Sequence, residues 1–373
     1  MGFYKKIISN TRFFRIRQLS DIPKAFFVIL LAIMAVSLIL LYSAGGGFSQ
    51  WCEKQLIRFI VGFLAMFTLA VIPIRFWYTF SYILYAVSLL CLLATSLIGV
   101  IGLGAQRWLN LGFFQIQPSE FMRIALIISL ARYLSDNPNL CLKKLIIPTV
   151  LVALPTALTI MQPDLGTAML LLIGSGGLFF LAGVSIKFFL SLLSLFCSSL
   201  PFLWFFLHDY QKNRILMFLD PQRDPLGAGY HIIQSKIAIG SGGFWGKGFL
   251  QGTQSTLNFL PEKQTDFIFT LLSEEFGFLG IIFLIVLYCS LILLNISFFY
   301  QTKNLFNRLV IAGFTLSFTL YVTINIAMVV GFLPVVGIPL PLVSYGGTSL
   351  VTIMASFGMI LSATFQRTKA SFE

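Results

Sequence analysis

The sequence predicts an all-α integral membrane protein of about ten transmembrane helices, and three observations carry that expectation. Charged residues make up 10% of the 373 and apolar ones 58%, with mean hydropathy +0.92, whereas a soluble domain carries roughly 25% charged residues. Apolar runs of about 20 residues recur, each able to cross ~30 Å of hydrocarbon as a helix, and no alternating strand pattern suggests a barrel. Lys and Arg cluster in alternate connections, as positive-inside bias requires of a multi-pass chain.

Residues 1–24 carry Lys5, Lys6, Arg12, Arg15, Arg17 and Lys24 against a single Asp21 and are expected to form a cytoplasmic tail. The first helix follows from Ala25 to Ala44, longer than the core of a cleaved signal peptide. Gly45-Gly46-Gly47 ends it, Glu53 and Lys54 fall in an external turn, and the second helix returns from Gln55 to Ile72. Pro73 and Arg75 make the inner turn, and the third helix runs from Trp77 to Val100. An external loop ends near Glu120, where the fourth helix begins; it returns to Arg132 and a basic inner loop with Lys143 and Lys144.

The fifth helix is expected from Leu145 to Met161, the sixth from the sharp Gln162-Pro163-Asp164 turn to Gly183, and the seventh from Phe188 to Leu207. Residues 1–24 are thus the tail, 25–207 the first seven helices, and 208–265 the single long external loop. Residues 266–366 hold helices eight to ten and 367–373 a second basic tail, so both termini are cytoplasmic. Acids on the inner side are confined to Asp21, Asp136 and Glu373. Placed this way, the net charge of +12 reads as membrane topology rather than as a nucleic-acid surface.

Within the long loop, Tyr230, Ile233 and Ile237 recur at helical spacing, which predicts an amphipathic helix on the membrane surface. The glycines from Gly240 to Gly248 fit neither a phosphate-binding loop nor a dinucleotide fingerprint and are read as a flexible or tightly turned segment. Five scattered cysteines outline no disulfide framework, and His208 and His231 lack ligand-spaced partners. The eighth helix, from Asp266 to Tyr300, is long enough to be tilted or broken at Gly277 or Gly280.

Acids are costly near a bilayer, roughly 2.5 to 3.5 kcal/mol at mid-helix on the mildest scales. Asp266 at the external mouth of helix eight suits a general base or a carboxylate set against the helix dipole. On a straight helix Glu274 lies about 80° from it and Glu275 about 180° away, so all three cannot share one pocket. Asp164 complements the start of helix six. Arg123, three residues after Glu120, is either half of a buried pair or an anion-binding group. The other external cations are Arg107, Lys212, Arg214, Arg223, Lys236, Lys247 and Lys263. The Pro/Gly-rich stretch Gly331–Ser349 needs cover at membrane depth, so it lines a site or forms a rim, with Ser344 as a candidate helix cap.

Five segments are specific enough to carry a resemblance: QPSE (117–120), QPDLGTA (162–168), FLDPQRDPLGAGYHIIQSKIAIGSGG (218–243), NFLPEKQTDFIF (258–269) and LPVVGIPLPLVSYGGTS (333–349). The chain resembles the SEDS family (shape, elongation, division and sporulation), on its rod-shape rather than its division branch, over nearly its whole length. The resemblance implies a peptidoglycan glycosyltransferase of the inner membrane that polymerises lipid II during elongation, with Asp266 as the catalytic acid-loop residue and Glu120 and Arg107 in functional positions. A flippase for the same lipid is the alternative. Candidate substrate-binding residues are Arg107, Glu120, Arg123, Asp164, Lys236, Lys263 and Ser344. A divalent cation, magnesium or manganese, is a further source of positive charge for a diphosphate. Implied partners are donor and acceptor lipid II, a class B penicillin-binding transpeptidase and other elongation-machinery membrane proteins; nucleic acid is not expected. Gln106 stands where the family often has a second basic residue.

Overall fold

The computed structural model describes residues 24–102, 105–110, 112, 115–138, 142–206, 212, 216–218, 220, 228–257, 259 and 262–365. Residues 1–23 and 366–373, which hold nearly all of the two terminal tails, and His208, Arg214 and Arg223 lie outside the described residues, while Lys24 opens the first helix.

Among the described residues the chain is an all-α membrane bundle built on ten long helices: α1 (Lys24–Ala44), α2 (Gln50–Val71), α3 (Ile74–Ile98), α4 (Pro118–Asp136), α5 (Leu142–Met161), α6 (Leu165–Leu181), α7 (Ile186–Phe206), then, after the surface segments, α10 (Ile268–Gln301), α11 (Leu305–Val330) and α12 (Thr348–Phe365). Among the described residues, seven are long and apolar enough by themselves to cross a membrane. Helix α4 falls short on hydropathy because it carries Glu120, Arg123, Arg132 and Asp136. Between α7 and α10 lie α8 (Ala228–Ser241) and the single turn α9 (Thr253–Thr256).

Burial divides the bundle into layers. Helix α4 is buried from Pro118 to Glu120 and from Met122 to Ala131, and α11 and α12 are buried along most of their length. Helices α2, α3 and α5 instead expose Ile60, Leu64, Leu90, Leu97, Ile146 and Leu154, as a lipid-facing ring does. In that setting Glu120 and Arg123 take central rather than rim positions. Helices α2 and α12 approach closely at Gly358, where a Cβ would stand 2.3 Å from the Met66 carbonyl oxygen.

Two local features depart from the sequence-based expectation. Helix α2 begins at Gln50, so Glu53 occupies its first turn, where it complements the dipole, rather than an external turn. The external loop after α3 holds three short antiparallel strands, β1 (Val100–Gly102), β2 (Ala105–Asn110) and β3 (Gln115–Ile116), in the order β1-β2-β3. Strand β2 pairs on both sides, which fixes the stem from which Arg107 projects. In α8, the helix expected along the membrane surface, Ile232, Ser235 and Ala238 are the buried face and Ile237 is 47% exposed. Ser235 sets that face, donating to Val329 O at 2.8 Å and lying 2.8 Å from Thr270 Oγ1.

Helix α10 breaks at Gly277 (φ 60°, ψ −155°), one of the two positions expected. The glycine-rich segment after α8 fills the break. Lys247 N and Gly248 N donate to the freed carbonyls of Glu274 and Glu275, at 3.0 Å each. Gly243 O and Phe244 O accept from Phe278 N (3.0 Å) and Leu279 N (3.3 Å). Backbone groups left unpaired at membrane depth are thereby satisfied. The close approach needs glycine: a Cβ on Gly246 would stand 2.1 Å from Glu275 O. Glu274 ion-pairs with Lys247 at 2.7 Å and accepts from Gln254 N at 3.0 Å, and Glu275 accepts from Ser43. Both acids therefore anchor this splice rather than the neighbourhood of Asp266.

Candidate active site

The turn 262–267 that precedes α10 carries Asp266, and three consecutive carbonyls of this turn are held by other elements. Gln264 O accepts from Tyr345 N at 2.8 Å, Thr265 O from Ser344 Oγ at 2.6 Å, and Asp266 O from Asn325 Nδ2 at 3.0 Å. No side chain caps α10 itself. The position of Asp266 thus depends on the loop after α11 and on α11.

That loop, residues 331–347, is buried over most of its second half, as its prolines and glycines require away from water, while Phe332 and Gly337 are exposed. Val336, Ile338, Leu340, Leu342 and Val343 are buried. Its carbonyls accept from Asn325 (to Ile338 O, 2.6 Å), Tyr288 (to Pro341 O, 2.6 Å) and Ser37 (to Val343 O, 2.7 Å). Gly166 in α6 lets the strand-like backbone pass: a Cβ there would meet Val336 O at 2.8 Å. Ser344 does not cap a helix, since α12 starts four residues later at Thr348. Its hydroxyl accepts from Leu340 N at 2.8 Å and donates to Thr265 O, so it staples the loop to the Asp266 turn.

Gly337, with φ +70° and an exposed surface, is the gap in this wall. A Cβ there would be 3.5 Å from Asp266 Oδ2 and 3.9 Å from Arg107 Nη1. Arg107 reaches this point from β2, with Nη2 donating to Pro163 O at 2.8 Å and Nη1 3.7 Å from Asp164 Oδ1. Asp164 is the N-cap of α6, accepting from Thr167 N (3.3 Å) and Thr167 Oγ1 (2.8 Å) and from Gln117 Nε2 (3.2 Å). The acid expected at the start of the sixth helix therefore caps it and also orients Arg107.

Burial pushes the Asp266 carboxyl up to about 6; the charge of Glu262 adds to the rise and Arg107 opposes it. Glu262 is a participant that sequence reading passed over. Its spacing, one helical turn before Asp266 in the sequence PEKQTD, was the available signal. Its carboxylate accepts from Thr265 Oγ1 at 2.8 Å. Burial lowers the neighbouring Lys263.

Glu120 and Arg123 form a separate centre inside the bundle. They pair at 3.1 Å; Arg123 also donates to Ser317 Oγ at 2.9 Å and Glu120 accepts from Tyr321 at 2.5 Å and Thr352 at 2.9 Å. Lys236 is exposed on α8, with its Nζ 2.8 Å from where a Cβ on Gly331 would stand. The structure thus brings Asp266, Arg107, Asp164 and Ser344 into one connected region and places Glu120–Arg123 and Lys236 in others. Gln106 donates to Gly99 O at 2.9 Å, back toward the end of α3.

A recessed carboxylate with its affinity for protons raised toward neutrality, beside a guanidinium and an open gap, suits removal of a proton from a hydroxyl next to a developing negative charge.

The family model for cell cycle proteins named for FtsW, RodA and SpoVE matches residues 22–369. The peptidoglycan glycosyltransferase MrdB of Escherichia coli K12 is 45% identical over 339 residues, covering 90% of this chain and 91% of that protein. The peptidoglycan glycosyltransferase RodA of Treponema pallidum is 32% identical, covering 93% and 98%. Among solved structures, a chain from a peptidoglycan synthase complex that coordinates polymerisation and crosslinking superposes with TM-score 0.81 at 32% identity, covering 93% and 98%. The rod shape determining protein RodA of Thermus thermophilus does so with TM-score 0.72 at 27% identity over the same shares.

Proposed function

The chain belongs to the FtsW, RodA and SpoVE family, the SEDS proteins, and from that premise we propose that it extends glycan strands from lipid II at the outer face of the inner membrane, with Asp266 as general base. It is a multi-pass inner-membrane peptidoglycan glycosyltransferase of the rod-shape branch.

One observation supports the mechanism above the others: Asp266 and Arg107 border a single exposed gap at Gly337. In the proposed step the acceptor sugar's 4-hydroxyl gives its proton to Asp266 as its oxygen bonds to the donor's anomeric carbon. The bond from that carbon to the diphosphate breaks, and its electron pair leaves with the diphosphate oxygen. Arg107 lies where it can meet that charge, held in place by Pro163 O and Asp164. The leaving group is a stabilised anion and needs no general acid, so one carboxylate suffices and displacement inverts the α-linked donor to a β-linkage, unlike the paired-carboxylate glycosidases.

A divalent cation, magnesium or manganese, is proposed as a second source of positive charge for the diphosphate beside Arg107. Among the described residues no three His, Cys, Asp or Glu side chains gather, so the diphosphate oxygens would themselves supply much of its coordination. Ser344 acts here as a positioning residue, and Lys236 and Lys263 are left as candidates for the lipid headgroups. A class B penicillin-binding transpeptidase is the proposed partner, supported by the likeness to a chain of a polymerising and crosslinking complex; further elongation-machinery proteins are proposed with it.

Purified protein supplied with lipid II in detergent, where no two compartments exist, tests this function. Glycan strands resolved by gel are the expected product. Lipid translocation in vesicles with no polymer in detergent would instead favour the flippase, a reading the comparisons do not favour.

A further inference from the structure

Asn325 lies in α11, wholly buried, and its single side-chain nitrogen bonds two carbonyls from different segments. It donates to Asp266 O at 3.0 Å and to Ile338 O at 2.6 Å. The first carbonyl belongs to the residue proposed as base. The second belongs to the residue after Gly337, where the Asp266 carboxylate and the Arg107 guanidinium converge. One amide therefore ties the two backbone walls of the gap to the same atom.

We propose that Asn325 is a positioning residue for glycosyl transfer: by clamping Asp266 O and Ile338 O it sets the base against the gap in which acceptor and leaving group meet. This rests on Asp266 being the base. Two donors on one nitrogen are what the geometry demands, and among short side chains only an amide supplies them at neutral charge. An aspartate of the same shape would turn acceptors toward both carbonyls and lose both bonds. The other ties on the turn, from Ser344 to Thr265 O, from Tyr345 to Gln264 O, and from Thr265 N and Phe267 N to Glu262 O, hold its neighbours, whereas Asn325 holds the Asp266 carbonyl itself. A displacement of about 1 Å in a catalytic group is enough to lower a rate about 100-fold.

Asn325→Asp, Asn325→Ser and Asp266→Asn are each purified in detergent and assayed with lipid II over a pH series. The charged groups acting on Asp266 are Glu262 in its own turn and Arg107 from β2, and both stay unchanged in the Asn325 variants. The expected result for Asn325→Asp is a fall in kcat of about 100-fold with KM for lipid II within about twofold; because its new carboxylate adds a charge beside Asp266, a displaced acid limb is read from Asn325→Ser. A residue serving only to hold the fold would lower yield and melting temperature and leave kcat per folded molecule and the acid limb as in the parent. That outcome overturns the proposal. Should the aspartate variant fail to assemble, Asn325→Ser, which shortens the reach without adding charge, is judged by the same two readouts. An inactive Asp266→Asn beside a fully active Asn325 variant defeats the positioning role alone, whereas an active Asp266→Asn defeats the reading on which it rests.

Discussion

Asp266 and Arg107 meet at Gly337, the one carrying a carboxyl raised toward neutrality and the other a guanidinium braced by Pro163 O and Asp164. Neither is near the other in sequence: Arg107 comes from a strand after α3 and Asp266 from the turn before α10. Arg107→Ala is expected to lower kcat about 100-fold, the scale of losing one preorganised group that stabilises charge. Arg107→Lys should recover only part of it, because an ammonium lacks the planar fork in which one nitrogen holds Pro163 O while the other faces Asp164 and the gap. Single-turnover assays with lipid II give both values.

Glu262 helps to raise the Asp266 carboxyl and so sets where activity begins on the pH axis. A base must be ionised to work, so the rate should climb as pH rises through about 6 and then level off. Glu262→Gln removes a neighbouring negative charge and is expected to move that rise to lower pH. A rise at unchanged pH in this variant would separate Glu262 from Asp266.

The same shift affects stability with a definite sign. Folded Asp266 binds its proton more tightly than the unfolded residue, whose ordinary value is 3.8. Its contribution to stability is therefore fully present below about pH 4 and is lost as pH rises through about 6. Asp266→Asn, neutral throughout, should melt at or above the parent temperature at pH 7.5 in detergent, as measured by tryptophan fluorescence.

The centre formed by Glu120 and Arg123 gives a contrasting test. Removing one partner of a buried pair costs about 3–5 kcal/mol because the other charge is left unpaired. Arg123→Met should therefore be strongly destabilised, and Glu120→Gln less so, since an amide still meets Tyr321 and Thr352. The double variant Glu120→Leu with Arg123→Met should regain stability relative to Arg123→Met. If it regains stability and remains inactive, the pair serves the reaction as well as the fold.

The splice at Gly277 is tested by Gly246→Ala. A methyl there would stand 2.1 Å from Glu275 O in a backbone with φ +81°, so both the contact and the left-handed conformation oppose it. The conformation alone costs about 1–2 kcal/mol. Reduced yield and a lower melting temperature are expected, whereas Gly240→Ala, which meets nothing within 4 Å, should be neutral apart from a small gain in helix propensity.

Much of the fold was legible because hydrophobic length and Lys/Arg placement are local signals, as the ten long helices and the break at Gly277 attest. The strands around Arg107 were not, because β1 and β3 have only 3 and 2 residues and take their order from pairing with β2. The buried face of α8 was not legible, because it turns on Ser235, a polar residue that bonds Val329 and Thr270 across the fold and leaves no apolar periodicity. Asp266 was legible from chemistry and resemblance together. Its fixation was not, because Ser344, Tyr345 and Asn325 lie 59 or more residues away in sequence and meet it only through the folded loop.

The central claim, that Asp266 is the base, is tested most directly by Asp266→Asn, which keeps shape and hydrogen-bonding capacity while removing basicity. Purified variant protein, folded by its melting curve, would be given lipid II and its products resolved by gel. Loss of glycan strands with lipid II binding retained is the predicted result. Strands made at the parental rate would contradict the account.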